Sequence, residues 1–256
     1  GDEIMFMSVA QELAAQCERL IIKMDDRLIP LFCRSFGNKI DIVGKNADLD
    51  EGEYDFHISM GSAIKFFRNE ECDFKKTSGG FLRADPEKVE AFKRELNIAP
   101  QKALIGLSWG SANKKIGAQK SISLEKLLSK FDPDRYEFVN LQYGPVLDQI
   151  ERARKSTGVT IHQIPSVDNR DNLDGLSAII SACDYVVSIS NVTAHLAGAL
   201  GKNAHILLKY SPDWRWQLKR SDSPWYKSIT LYRQESFDDW STPLEALKQC
   251  FNIERN

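Results

Sequence analysis

Tyr185-Val-Val-Ser-Ile-Ser-Asn-Val-Thr-Ala-His-Leu-Ala-Gly-Ala-Leu-Gly201 reads as a buried strand that runs straight into a helix. Residues 185–189 are an apolar run, rich in β-branched side chains and short enough for a strand. Ser190, Asn191 and Thr193 then mark a helix start. Ala194, Ala197 and Gly198 give that helix a slim face that can sit close on a sheet. A helix N-terminus directly after a strand presents free N–H groups and the positive end of the helix dipole, a setting that suits an anion. Ser190, Asn191, Val192 and Thr193 are therefore candidate anion-binding residues, with an ordinary helix cap as the alternative reading. His195, one turn further in, either contacts a ligand or is a satisfied structural histidine. Asn191-Val-Thr193 also spells a glycosylation sequon, which has no role in a cytoplasmic chain.

Working outward, strands are expected over 103–109, 136–141, 159–164 and 204–208. They alternate with helices over 123–130, 146–154 and 173–182, and a last helix spans 243–251. Such alternation implies βαβ units around a parallel sheet, which binds ligands beyond the carboxyl ends of its strands. The loops to inspect are 110–120, 142–144, 165–172, 190–192 and 210–226. Loop 110–120 combines amides, flexible backbone and three lysines, so Ser111, Asn113 and Lys120 suit a diphosphate. A solvated surface loop is the alternative, and the order GxxxxGK[ST] of a P-loop is absent. Gln142 joins this set from the next loop. Trp214, Arg215 and Trp216 read as a wall for a flat base or a sugar, or as a packed aromatic core.

The first half is less clear. Met5, Val9, Leu13 and Leu20 recur at helical spacings. Strands are expected over 19–24, 39–43 and 56–60, with a short helix over 63–68. Pro30 is expected to restrict any helix over 25–36. Residues 77–85 read as a loop. Pro86 opens a helix to Leu96 with Asp85 as its cap. A boundary over 97–102 divides the chain into domains 1–98 and 99–256, the last helix packing back on the first domain.

Composition excludes several classes. Lys plus Arg is 34 against 36 for Asp plus Glu, so the net charge of −2 removes the case for a general nucleic-acid binder. No apolar run reaches the ~18 residues of a bilayer span. The five cysteines are scattered and never form CxxC, which points to reduced thiols in the cytoplasm rather than disulfides or zinc. No GxGxxG follows a strand. Gly1-Asp2-Glu3 carries no signal-peptide n-region and suggests that the chain starts inside a longer one. Asp2 reads as a helix N-cap or as a carboxylate available as general base.

Several segments together resemble a known family. They are Gly1-Asp-Glu-Ile-Met-Phe6, Arg27-Leu-Ile-Pro-Leu-Phe32, Arg34-Ser-Phe36, Thr193-Ala-His-Leu-Ala-Gly-Ala-Leu-Gly201, Pro212-Asp-Trp-Arg-Trp216, Ser223-Pro-Trp-Tyr226 and Leu231-Tyr-Arg-Gln234. The chain is similar to the glycosyltransferase domain of bacterial tetratricopeptide-repeat proteins, itself related to the ADP-heptose:lipopolysaccharide heptosyltransferases. The resemblance implies an α/β fold of GT-B type: two Rossmann-like domains facing a cleft, the first lacking its opening strand. It implies an inverting transfer without metal or cofactor, from a nucleoside-diphosphate sugar to a saccharide, lipid-linked or protein acceptor. A tetratricopeptide-repeat domain upstream is expected. Asp2 matches the candidate base of the heptosyltransferases, and Lys120 falls where relatives place a cation on phosphate. Ser190 and Asn191 stand where relatives often carry Asp-Thr, so the sugar is left open. A module that binds the nucleotide sugar, or a protein partner, without catalysis is the rival reading.

Overall fold

The structure, a computed structural model, describes residues 1–76 and 79–253. Its strands form two parallel sheets. β1 (Ile21–Met24) and β2 (Asp41–Gly44) pair in the first half. The larger sheet holds β3 (Ala103–Ser108), β4 (Tyr136–Asn140), β5 (Ile161–His162), β6 (Tyr185–Ile189), β7 (Ala204–Leu208) and β8 (Ile229–Arg233). Their order is β5-β4-β3-β6-β7-β8 and every neighbouring pair is parallel. Three strands are laid down in one direction and three in the other, the doubly wound nucleotide-binding order. The reversal lies between β3 and β6, so their carboxyl ends open a crevice.

This sheet is buried on both faces, which is why its strands read as continuous apolar runs. Ala103, Ile105 and Leu107 face a core built with Leu124, Leu127, Leu244, Leu247 and Phe251. Leu104 faces the opposite core, where Leu176, Ile179, Leu196 and Tyr226 meet Ile4, Met5, Leu28, Leu31 and Phe32 of the first half. One apolar core therefore joins the two halves. Gly106 is a close approach: a Cβ there would lie 2.4 Å from Leu141 Cδ1.

Side chains set the helix starts. Asp85 accepts from the Glu87 and Lys88 N–H groups and opens Pro86–Leu96. Asn172 opens Leu173–Ala182, and Asn191 opens Val192–Ala199. Pro86–Leu96 packs against Leu173–Ala182 across the two halves.

The structure corrects five expectations. The first helix breaks into Asp2–Phe6, a 3-10 turn at Met7–Val9 and Ala10–Ala14. Pro30 does not prevent a helix, because Ile29–Phe36 takes it in its first turn, where no N–H donor is needed. Residues 56–60 form no strand. Phe56 is 93% exposed, no described strand pairs with the alternation of Phe56, Ile58 and Met60, and Met60 already begins the helix Met60–Ala63. β8 is a strand the sequence reading missed. The final helix, Ser241–Ile253, packs on β7 and β8 rather than on the first half; the Tyr136 hydroxyl donates to the Phe251 carbonyl at 2.9 Å. The loop expected over 77–85 begins at two residues, 77–78, that lie outside the described residues.

Candidate functional site

A cavity of about 350 Å³ opens at the reversal between β3 and β6. Ser111, Asn113 and Lys120 line it from the loop after β3. Ser190, Asn191 and Val192 line it from the turn after β6, Tyr143, Asn169 and Arg170 from the loops beyond β4 and β5, and Leu173 from the start of the Leu173–Ala182 helix. Gly1 and Arg27 close it from the first half. Three of these residues are cationic and none is acidic.

The floor is a hydrogen-bonded chain. Asn191 Oδ1 accepts from the Thr193 and Ala194 N–H groups at 3.0 and 3.4 Å, so the helix N-terminus is capped from within. Asn191 Nδ2 donates to Ser108 Oγ at 2.8 Å, and Ser108 Oγ donates to Gln142 Oε1 at 3.0 Å. The Gly110 N–H also donates to Gln142 Oε1, at 2.8 Å. Gln142 thus holds the loops after β3 and β4 together; it is buried and does not line the cavity. Asn169 Nδ2 donates to the carbonyls of Asn140 and Gln142, each at 3.2 Å, while its Oδ1 is buried without a partner.

Lys120 enters the cavity as part of an ion pair. Its Nζ donates to Asp213 Oδ2 at 2.8 Å. Ser190 Oγ donates to the same oxygen at 3.2 Å and accepts from Trp216 Nε1 at 2.8 Å. Burial works to raise the Asp213 pKa, but the Lys120 hydrogen bond and charge outweigh it and hold it below the ordinary carboxylate value. Asp213 was missed in the sequence, although it sits inside the quoted Pro212-Asp-Trp-Arg-Trp216 segment. Arg27 is bound to Asp25 through Nε and Nη2, and its Nη1 donates to the Arg170 carbonyl at 3.0 Å. The Arg27 hydrogen bonds push Asp25 down to about 2.

His195 lies beneath this surface. It is buried, Nδ1 is 3.0 Å from the Tyr226 hydroxyl, and its ring stacks on Trp216 at 5.3 Å. Arg215 Nη1 is 3.5 Å from Nε2. Arginine only donates, so Nε2 accepts and the proton sits on Nδ1, toward Tyr226. Burial, and then the nearby positive charges, push the His195 pKa well below its ordinary value and keep the ring neutral.

Arg215 Nη1 also binds Asp2 Oδ1 at 2.5 Å. Asp2 therefore begins the first helix with its carboxylate paired across the two halves. The expected wall of Trp214, Arg215 and Trp216 does not line the cavity. Trp216 is core, Arg215 is the cross-link to Asp2, and Trp214 packs on Phe6 outside. Thr193 and His195 are likewise buried below it. The sequence reading does not single out Arg27, Tyr143, Asn169 or Arg170, although loops 142–144 and 165–172, which carry three of them, stand among its loops after strands. A wider depression of about 800 Å³ at Glu71, Lys219, Arg220 and Asp222 mixes acids with bases, Arg220 pairing with both Glu71 and Asp222.

With this geometry in hand, the chain can be placed among known proteins. No family model matches it. Protein FlbA of Caulobacter vibrioides is 28% identical over 260 residues, which cover 94% of this chain and 42% of that protein. The chain thus spans less than half the length of this curated relative. Among solved structures, E. coli ADP-heptose LPS heptosyltransferase II superposes with a TM-score of 0.63 at 12% identity, covering 97% of this chain and 93% of that one. The glycosyl transferase family 9 structure from Veillonella parvula gives 0.59 at 12% identity, covering 91% and 83%. The fold is the GT-B type of these glycosyltransferase structures, with parallel α/β sheets in both halves. No described helix is long and apolar enough to cross a membrane.

Proposed function

We propose that the chain is a glycosyltransferase domain that binds a nucleoside-diphosphate sugar in the β3–β6 cavity and transfers the sugar, with inversion, to an acceptor hydroxyl. The observation that carries this reading is the charge of the cavity: Arg27, Lys120 and Arg170 line it and no carboxylate does, at the reversal of strand order where doubly wound sheets bind nucleotides. Those cations suit a diphosphate. In the metal-free scheme that the resemblance implies, they also supply the positive charge that a departing diphosphate needs.

In this scheme the acceptor oxygen attacks the anomeric carbon. The bond from that carbon to the diphosphate oxygen breaks, and its electron pair leaves with the nucleoside diphosphate. Asp2 takes the acceptor proton through the oxygen that Arg215 does not hold. Titration calorimetry with ADP, UDP, GDP and their sugar conjugates tests the reading. Saturable binding of one nucleotide, weakened in Lys120→Ala, is expected; no binding by any of them sinks it.

A second reading has one observation in its favour. The Asp2 carboxylate is already engaged by Arg215, which suits a domain that binds the nucleotide sugar without transferring it. Such a domain binds the donor but releases no nucleoside diphosphate, with or without acceptor.

A further inference from the structure

Trp214 is absent from the cavity lining yet keeps 63% of its surface in solvent, while the other four tryptophans are buried. It is firmly held. Phe6 stacks on it with centroids 6.5 Å apart and planes 20° apart, and Trp225 meets it edge-on at 6.1 Å. The Arg215 guanidinium carbon lies 5.9 Å from the Trp214 ring. That same guanidinium binds Asp2, whose side chain is 61% exposed. An exposed apolar ring and the exposed Asp2 carboxylate, held by a guanidinium whose side chain is 16% exposed, therefore lie side by side.

This surface borders the cavity. Gly1, next to Asp2, lines it, and so does Ser190, which accepts the Trp216 indole N–H two residues after Trp214. Arg215, over the Trp214 ring, binds Asp2, the chain neighbour of Gly1 in the cavity wall.

The geometry points to an acceptor-sugar subsite, in which Trp214 takes the apolar face of a pyranose while Asp2 and Arg215 take its hydroxyls. A pyranose has this division of surface: axial C–H groups that pack on an aromatic ring, and equatorial hydroxyls that bind carboxylate and guanidinium. A wholly apolar partner would strip water from the Asp2 carboxylate without replacing its hydrogen bonds, and a phosphate would meet the Asp2 charge. The word acceptor rests on the transferase reading above; the sugar site itself does not.

Saturation-transfer NMR on this chain tests it, with the methyl glycosides of glucose, galactose, mannose and N-acetylglucosamine as ligands and Gly-Ser-Gly as the peptide control. We expect transfer to the ring C–H protons of at least one glycoside, reduced five-fold or more in Trp214→Ala and kept in Trp214→Phe. ADP and UDP affinity, measured in parallel, changes less than two-fold in Trp214→Ala. Equal transfer in the wild type and Trp214→Ala overturns the subsite, as does the absence of any glycoside signal. Trp214-dependent binding of the peptide alone also overturns it and makes the surface a protein site. Displacement of the glycoside by nucleotide, independent of Trp214, assigns the sugar to the donor cavity instead. Glycoside binding without nucleotide binding sinks the donor reading and leaves the subsite standing, and the reverse pattern sinks the subsite alone.

Discussion

Lys120 meets an incoming anion while already bound to Asp213, so two negative groups compete for one ammonium. Replacing Asp213 by Asn keeps its shape and removes the competitor. Asp213→Asn is expected to tighten nucleoside-diphosphate binding by roughly three- to ten-fold, about 1 kcal/mol, at low salt. Lys120→Ala is expected to weaken it by about ten-fold or more. Calorimetry of both variants at one ionic strength checks the pair. Equal weakening in both would show that Asp213 serves to aim Lys120 rather than to oppose the ligand. Asp2→Asn is expected to leave nucleotide affinity unchanged and to lower transfer by ~100-fold or more; unchanged turnover removes Asp2 from the mechanism. At this scale the sequence offers residue types and little else. A lysine in a polar loop after a strand is visible, but its partner lies 93 positions away. Asn191 and Gln142 have the right chemistry for a ligand, yet the fold turns both toward the backbone and toward Ser108.

Single elements carry two further predictions. The Val192–Ala199 helix lies on Tyr226 so closely that a Cβ on Gly198 would fall 2.4 Å from the Tyr226 ring. Gly198→Ala is expected to cost about 2 kcal/mol by overpacking, despite the better helix propensity of alanine, read as a lower midpoint in urea. On β7, His205 is buried among Tyr185, Tyr232 and Phe251, with Nδ1 3.0 Å from the Tyr232 hydroxyl. Burial lowers its pKa from 6.5 to about 4. Between those values the unfolded chain binds a proton that the native chain refuses, so this contribution to stability rises with pH. It is complete above pH 6.5 and is lost as pH falls toward 4, at most ~3 kcal/mol. Urea unfolding from pH 7 to 4.5 should show a shallower slope in His205→Phe; an unchanged slope overturns the assignment. Elements were legible where burial on both faces wrote an apolar run, as at β3, β6 and β7. They were misread where the pattern lacked a partner. The alternation over 56–60 satisfies the period of a strand, but no described strand pairs with it and Phe56 stays in solvent, while β8 hides its strand pattern inside an aromatic-rich segment.

At the scale of the molecule, the two halves are tied by charge as well as by core. Asp174 of the second half is buried and binds both Arg34 and Lys88 of the first; the Lys88 bond is 2.6 Å. Burial alone would raise its pKa, but the hydrogen bonds of Lys88 and Arg34 prevail and lower it. Asp174→Ala leaves Arg34 and Lys88 only their longer pairings with Asp85, at 4.0 and 3.9 Å. Because both are partly solvated, the expected loss is about 2 kcal/mol rather than the 3–5 of a fully buried pair, measured by urea unfolding. The α/β class and the cavity's place on the sheet could be argued from the alternation of elements. The welding of the halves could not, since Ile4 and Met5 reveal nothing about Leu196 until the chain is folded. That shared core bears on the motion open to the proposed transferase. Domains that meet through a small polar contact swing apart readily, whereas a large apolar seam resists such motion. Here opening a hinge would strip Ile4, Met5, Leu31 and Phe32 from their packing. If the chain is the transferase proposed above, ligand entry and product escape would fall to the 110–120 loop, whose Ser111, Asn113 and Lys120 line the cavity, rather than to a swing of the halves.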